Sequence, residues 1–283
     1  MTTLAIQQVA DYYESKTTAV LRRYGPGPRV HFHTGFVDTP TPIERSVGAL
    51  RRRLVAAQER MLQYTADVWR LGQTPQMKVL DVGCGLGGGA IFWAEKFCAD
   101  VTAVTIAPSH INLVAMFSAQ AGVESRVHPL LCDATKVPGD SLYDAIIAID
   151  SSCHLSRPAW FQRAGALLRK GGHIFIADCF LGNPQYRVRF DEHWRASIGT
   201  LSEYRAAARD ANLIEELSED ISTYTVHFWS LTSALILLES RTTEANTNTQ
   251  DLDASLQVHG LMRRGLSEGG LRYQLMAFVK KKE

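Results

Sequence analysis

A chain of 283 residues with 46% hydrophobic side chains carries enough apolar material for one large α/β core with additions. A formal net charge of +1 gives no electrostatic footprint for a nucleic-acid partner. The five cysteines, Cys84, Cys98, Cys132, Cys153 and Cys179, stand singly with no CxxC pair, which argues against a disulfide framework or a zinc site.

The odd count of thiols fits a reduced, cytoplasmic protein, and no metal is called for. No basic segment followed by an apolar core is read at the N-terminus. The longest apolar run, near Leu231–Leu238, is too short to span a bilayer.

In chain order, the spacing of Ala5, Val9, Tyr12 and Tyr13 predicts a helix over 4–21. Gly25-Pro26-Gly27-Pro28 breaks it. A second helix is predicted from about 43 to 71, with Leu50, Leu54, Met61, Leu62 and Val68 as its apolar stripe. Arg45, Arg51, Arg52 and Arg53 read as its solvated face rather than as a diphosphate site. From Met77 onward strands and helices alternate. Strands are predicted at 79–82, 100–105, 128–132, 145–149 and 173–177, with Lys170-Gly171-Gly172 stopping the helix before the fifth.

A cap is predicted after strand five, at about 180–230, containing an amphipathic helix over 202–211. A poorly defined strand follows at 214–221, then a helix at 227–238, a polar surface loop at 246–253 and a last strand at 271–279. These elements imply an α/β, doubly wound, Rossmann-like, seven-stranded and mainly parallel sheet with an N-terminal helical extension. Residues 1–72 form the helical segment covering the site, and 73–283 the ligand-binding domain with its cap. A ligand belongs at the carboxyl ends of the first strands.

The glycine run Val79-Leu-Asp81-Val-Gly83-Cys-Gly85-Leu-Gly87-Gly-Gly89 satisfies two patterns at once. Gly83-x-Gly85-x-x-Gly88 is the dinucleotide fingerprint, and Asp81-x-Gly83-x-Gly85-x-Gly87 is the pattern of S-adenosylmethionine sites. A dinucleotide needs a carboxylate about 20 residues on, at the end of strand two, to hold the ribose. Strand two ends instead in Thr105-Ile-Ala-Pro-Ser-His110, with no acid. Asp81 suits the cationic end of S-adenosylmethionine, which is the cofactor expected.

The segment Val101-Thr-Ala-Val-Thr-Ile-Ala-Pro-Ser-His110 resembles the "VTGITLS-x-x-Q" segment of the sterol, tocopherol and terpenoid C-methyltransferases, with His110 at the Gln position. His31-Phe-His33-Thr-Gly-Phe-Val-Asp38 resembles their "HMHHGFYD", Cys132-Asp133-Ala134 their "GDA", and Ala148-Ile-Asp150-Ser-Ser-Cys-His154 their "SIEAxxH". The four motifs stand in the family's order over roughly 11–213, and the chain looks closest to bacterial terpenoid enzymes.

The resemblance implies a methyltransferase acting on a small apolar or aromatic metabolite. It implies cofactor contacts from Asp81, Gly83, Gly85, Gly87, Thr105, His110, Asp133, Ala134, Tyr13 and His33, with Asp133 meeting the adenine amine. The catalytic candidates are His154, Asp150 and Tyr13, since His is poised to act as a base near neutrality. Trp194, Tyr204, Phe228 and Trp229 are candidates for an aromatic acceptor pocket whose π faces would steady a cation. A prenyl alkene is the implied acceptor. O- or N-methylation of a phenolic or alkaloid product, and a non-catalytic ligand-binding protein of the same fold, stay open. A homo-oligomer joined through the N-terminal helix is a further expectation.

Overall fold

The computed structural model describes residues 3–72, 76–242 and 249–282. Helices α1 (Thr3–Tyr24) and α2 (Val47–Val68) precede a Rossmann-like core. That core runs β1 (Lys78–Val82), α3 (Gly88–Phe97), β2 (Asp100–Thr105), α4 (Pro108–Gln120), β3 (Val127–Leu131), β4 (Tyr143–Ile149), α5 (Arg157–Leu167) and β5 (Leu168–Leu181). Then come α6 (Arg187–Trp194), α7 (Leu201–Asp210), β6 (Leu213–Asp220), α8 (Ser222–Thr242), α9 (Thr249–Glu268) and β7 (Leu271–Lys280). The sheet order is β3-β2-β1-β4-β5-β7-β6, and β7 is antiparallel to both its neighbours. The order reverses between β1 and β4, which is where a crevice opens above a doubly wound sheet.

Alternate residues of each strand feed two separate cores. Val79, Val101, Ala145, Ile147 and Phe175 face one side, under α2, α3, α8 and α9. Leu80, Val82, Ile146, Ile174 and Phe278 face the other, under α5 and α7. Such two-sided burial explains why the parallel strands read as unbroken apolar runs. On α2 the predicted stripe holds, with Leu50, Leu54, Met61 and Leu62 fully buried. The helix starts four residues later than its periodicity suggested, because the Ser46 hydroxyl caps it by accepting from the Ala49 amide.

Three expectations are corrected. Lys170-Gly171-Gly172 lies within β5, not ahead of it, where the pairing with β4 shifts register between Tyr143 and Ala145 and Gly171 takes φ 78°. Helix α9 was not foreseen. The part of the expected polar loop at 246–248 lies outside the described residues, and 249–253 open α9. Val258, Leu261, Met262 and Leu266 recur at helical spacing and are buried, but the polar residues ahead of them masked the pattern. Helix α9 packs on α8, and the two share the wall of one cavity with Trp194 of α6 through Trp229, His259 and Met262. Arg51 is not simply a solvated residue, because it pairs with Glu239 of α8 at 2.9 Å.

Leu54→Ala should cost about 2–5 kcal/mol of stability, because a fully buried side chain leaves a cavity. Leu142→Ala, at 40% exposure, should cost under about 0.5 kcal/mol. Urea denaturation checks both.

Candidate functional site

The turn after β1 must fold back on itself to let α3 begin. Gly83 sits there at φ 72°, and a Cβ on it would fall 2.5 Å from Ser151 Cβ. Only glycine fits so close an approach with that backbone. Ser151 in turn donates its hydroxyl to the Val82 carbonyl at 2.6 Å. The ends of β1 and β4 are thereby locked together beneath a cavity of about 290 Å³.

Asp81, Gly83, Gly85, Thr105, His110, Asp133, Ala134, His33 and Tyr13 all line this cavity. Gly87 sits at the start of α3 with φ 85°, one residue before the lining Gly88. Asp81 is 6% exposed, and burial pushes its pKa up to about 7. Thr105 Oγ1 accepts from the Ala107 amide at 3.1 Å, shaping the turn where an acid would otherwise stand. Asp133 Oδ1 accepts from the Thr135 amide and hydroxyl, both at 2.9 Å, and so braces its own turn.

His33 Nε2 and His110 Nδ1, buried and without a protein partner, belong to this cavity's wall, and so do two more such nitrogens, Trp93 Nε1 and His31 Nδ1. Neither of the last two was singled out from the sequence. His31 stood in a quoted motif, but Trp93 read only as a core aromatic of α3. S-adenosylmethionine carries an ammonium, a carboxylate and a sulfonium. The Asp81 carboxyl suits the ammonium and the Trp93 N–H, a donor only, suits the carboxylate, while His31 donates from Nε2 to Glu59 at 2.7 Å and leaves Nδ1 as an acceptor.

Helix α1 forms the roof. Its Tyr13 hydroxyl is 2.8 Å from His154 Nε2, its Thr17 hydroxyl 2.9 Å from His110 Nε2, and Glu14 accepts from the Ser109 amide at 2.9 Å. His154 lies in a single turn after β4, with its Nδ1 3.3 Å from the Arg195 carbonyl. A carbonyl can only accept, so Nδ1 carries the proton and Nε2 accepts from Tyr13. Burial pushes the His154 pKa down to about 4, leaving the ring neutral and able to take a proton. The His33 pKa is pushed down to about 3 by burial, with His31 adding to it.

A second, smaller cavity of about 80 Å³ shares Tyr13, Phe32, His33, Asp150 and His154 with the first. Its remaining wall includes Trp194, Phe228 and Trp229. Tyr204 is placed elsewhere: it is fully buried on the far face of the sheet, stacked edge-on to Phe161 and Phe180. The amphipathic helix α7 that carries it packs on α5, so the apolar stripe serves a core, not a pocket.

Asp150 takes a left-handed backbone (φ 46°), which turns its carboxylate to accept from the Thr34 amide at 2.5 Å. Asp178, missed from the sequence, lines the second cavity beside it. It accepts from the Ser152 hydroxyl at 2.6 Å and the Cys153 amide at 3.0 Å. Burial raises both carboxyls, Asp178 to about 7. Its signal was an acid one residue past the predicted end of an apolar strand. Among the described residues no group of three or more His, Cys, Asp or Glu could hold a metal ion, and no helix is long and apolar enough to cross a membrane.

Residues 79–172 match the family described as "Methyltransferase domain". O-methyltransferase rstn1 of Aspergillus nomiae is 30% identical over 193 residues, covering 64% of this chain and 76% of that protein. Geranyl diphosphate 2-C-methyltransferase of Streptomyces lasalocidi is 24% identical over 246 residues, covering 81% of each. The chain spans 30% of the length of Arabidopsis thaliana phosphoethanolamine N-methyltransferase 3 and 60% of the 27-O-demethylrifamycin SV methyltransferase of Amycolatopsis mediterranei, each 30% identical where they align. Among solved structures, geranyl diphosphate methyltransferase with GPP and sinefungin superposes with a TM-score of 0.84 at 18% identity, over 98% of this chain and 99% of that one.

If Asp81 meets the cofactor's ammonium, it must give up its proton first. Because its pKa is raised to about 7, affinity for S-adenosylmethionine should fall as pH drops below about 7, by up to roughly tenfold per unit. Calorimetry from pH 8 to 5.5 checks this. Asp81→Asn should bind weakly with a flat pH profile.

Proposed function

The chain belongs to the S-adenosylmethionine-dependent methyltransferases, and we propose that within them it is a terpenoid C-methyltransferase. Its acceptor is a prenyl alkene on a small apolar metabolite, of the teleocidin-type indole alkaloid class. The observation that carries this reading is the wall shared by two cavities, where Tyr13 and His154 stand hydrogen-bonded between a polar chamber and an aromatic one.

In this reading the first cavity holds the cofactor. Asp81 and the acceptor Nδ1 of His31 face the ammonium, Trp93 offers its indole N–H to the carboxylate, and Asp133 and Ala134 border the adenine. Bound S-adenosylmethionine supplies an electrophilic methyl group whose leaving group is a neutral thioether. The protein's share of the work is positioning and the exclusion of water. Helix α1 supplies both by roofing the site with Tyr13 and Thr17.

An alkene that forms a bond to the methyl carbon is left with a positive charge. Phe32, Trp194, Phe228 and Trp229 line the second cavity with π faces that steady it. The proton that ends the reaction leaves an adjacent carbon for the Tyr13 oxygen. Tyr13 passes its own proton to His154 Nε2, which is neutral and oriented by the Arg195 carbonyl. The electron pair of the broken C–H bond restores the neutral alkene.

A second reading is O-methylation of a phenol, supported by the 30% identity to an O-methyltransferase. The same Tyr13–His154 pair would then take the hydroxyl proton. Labelled S-adenosylmethionine offered with prenylated indoles, prenyl diphosphates and simple phenols separates the two. Label on a prenyl carbon is the expected result, and label found only on phenol oxygen sinks the alkene reading.

Tyr13→Phe and His154→Gln should each lower kcat by about 10²–10⁴-fold while leaving cofactor affinity within about twofold. Single-turnover methyl transfer alongside cofactor titration checks this.

A further inference from the structure

The second cavity holds nitrogens that the protein leaves unsatisfied. Trp194 Nε1, Trp229 Nε1 and His259 Nδ1 are buried and have no hydrogen-bond partner. All three side chains line the same cavity. They come from three elements, α6, α8 and α9, yet their rings are contiguous. The Trp194 and Trp229 centroids lie 6.0 Å apart, and those of Trp229 and His259 5.3 Å.

A buried N–H left unpaired costs about 1–3 kcal/mol, and native proteins keep few of them. Two indole N–H groups left so in one cavity, beside a neutral imidazole whose Nδ1 is also unpaired, are a cost that a bound ligand would relieve. An indole nitrogen only donates, so the relieving group must be an acceptor.

Charge narrows its identity. Burial, with help from His193 and Arg23, pushes the His259 pKa down to about 3, so the ring is neutral. Arg23 itself is held by Glu239 at 2.9 Å, as is Arg51 at 2.9 Å. Among the described residues no lysine or arginine lines this cavity to neutralise an anion placed among these rings, whereas Asp150 and Asp178 do line it. The lining thus presents N–H dipoles and carboxyls to its occupant, a poor setting for a diphosphate.

We propose that Trp194, Trp229 and His259 form a subsite for an uncharged carbonyl oxygen, of an amide or ester, carried by the acceptor molecule away from its methylated atom. The proposal rests on the reading of the second cavity as the acceptor's. It turns two aromatics expected to supply only π faces into hydrogen-bond donors, and it adds a histidine from a helix the sequence did not reveal. It also sets this chain's acceptor apart from a prenyl diphosphate.

The test is binding, measured by calorimetry on protein saturated with S-adenosylhomocysteine. The probes are a prenylated indole bearing a carboxamide, the same indole with a methyl group in place of the carboxamide, and geranyl diphosphate. Wild type should favour the carboxamide over the methyl analogue by about tenfold or more. Trp194→Phe, Trp229→Phe and His259→Phe should each reduce that preference roughly 3- to 10-fold, the worth of one neutral hydrogen bond. Affinity for S-adenosylhomocysteine should stay within about twofold, which shows that the variants fold, and affinity for the methyl analogue should fall less than affinity for the carboxamide. No preference in wild type, equal loss for both indoles in the variants, or tighter binding of geranyl diphosphate would overturn the subsite. Methyl transfer to the two indoles is scored separately. A carboxamide preference without any methylated product would leave the subsite standing and remove the alkene chemistry.

Discussion

The glycine turn after β1 rests directly on the turn after β4, and the site depends on that contact. Gly83 leaves no room for a side chain against Ser151, and the Ser151 hydroxyl ties the two turns by bonding the Val82 carbonyl. In the parallel pairing of β1 with β4, Asp81 lies opposite Ile147, and Asp150 stands three residues farther on, just past the carboxyl end of β4. One belongs to the larger cavity and the other borders both. A side chain at position 83 would push the turns apart and separate the chamber that holds a cofactor from the one that holds an acceptor.

Everything above that floor is supplied by helices outside the alternating core. Helix α1 is joined to the core by three side chains within two turns, Tyr13, Glu14 and Thr17, which reach His154, the Ser109 amide and His110. It therefore touches both the end of β4 and the start of α4 and bridges the two halves of the crevice. Helices α6, α8 and α9 close the aromatic chamber from the other side. The histidines, carboxyls and tyrosines gathered there lie away from bulk water. Burial drives their proton affinities toward the neutral forms, with His154 at about 4 and Asp178 at about 7. Neutral groups that change charge only when the substrate does are what proton transfer in a dry cavity requires.

Legibility followed the range of the interactions. The β1 turn, Thr105, Asp133 and the Asp150–His154 segment could be placed from sequence because each sits at a strand end, where short-range rules apply. Asp178 escaped notice because strand five runs four residues beyond the predicted end. Tyr204 was misplaced because an amphipathic helix shows that it buries a face without showing which of the sheet's two faces receives it. His259 was invisible because the polar residues ahead of it hid the start of α9.

By itself the sequence determined the alternating α/β core, the glycine turn and the absence of an acid at the end of β2, since these are set by local backbone demands and by burial on both faces of parallel strands. Only the tertiary structure decided that Tyr13 meets His154 across 141 positions, that Asp150 and Asp178 share one chamber, and that three ring nitrogens from separate helices converge there without partners. Such meetings depend on how helices settle on a finished sheet. That is a matter of packing between distant segments, and no local pattern of residues encodes it.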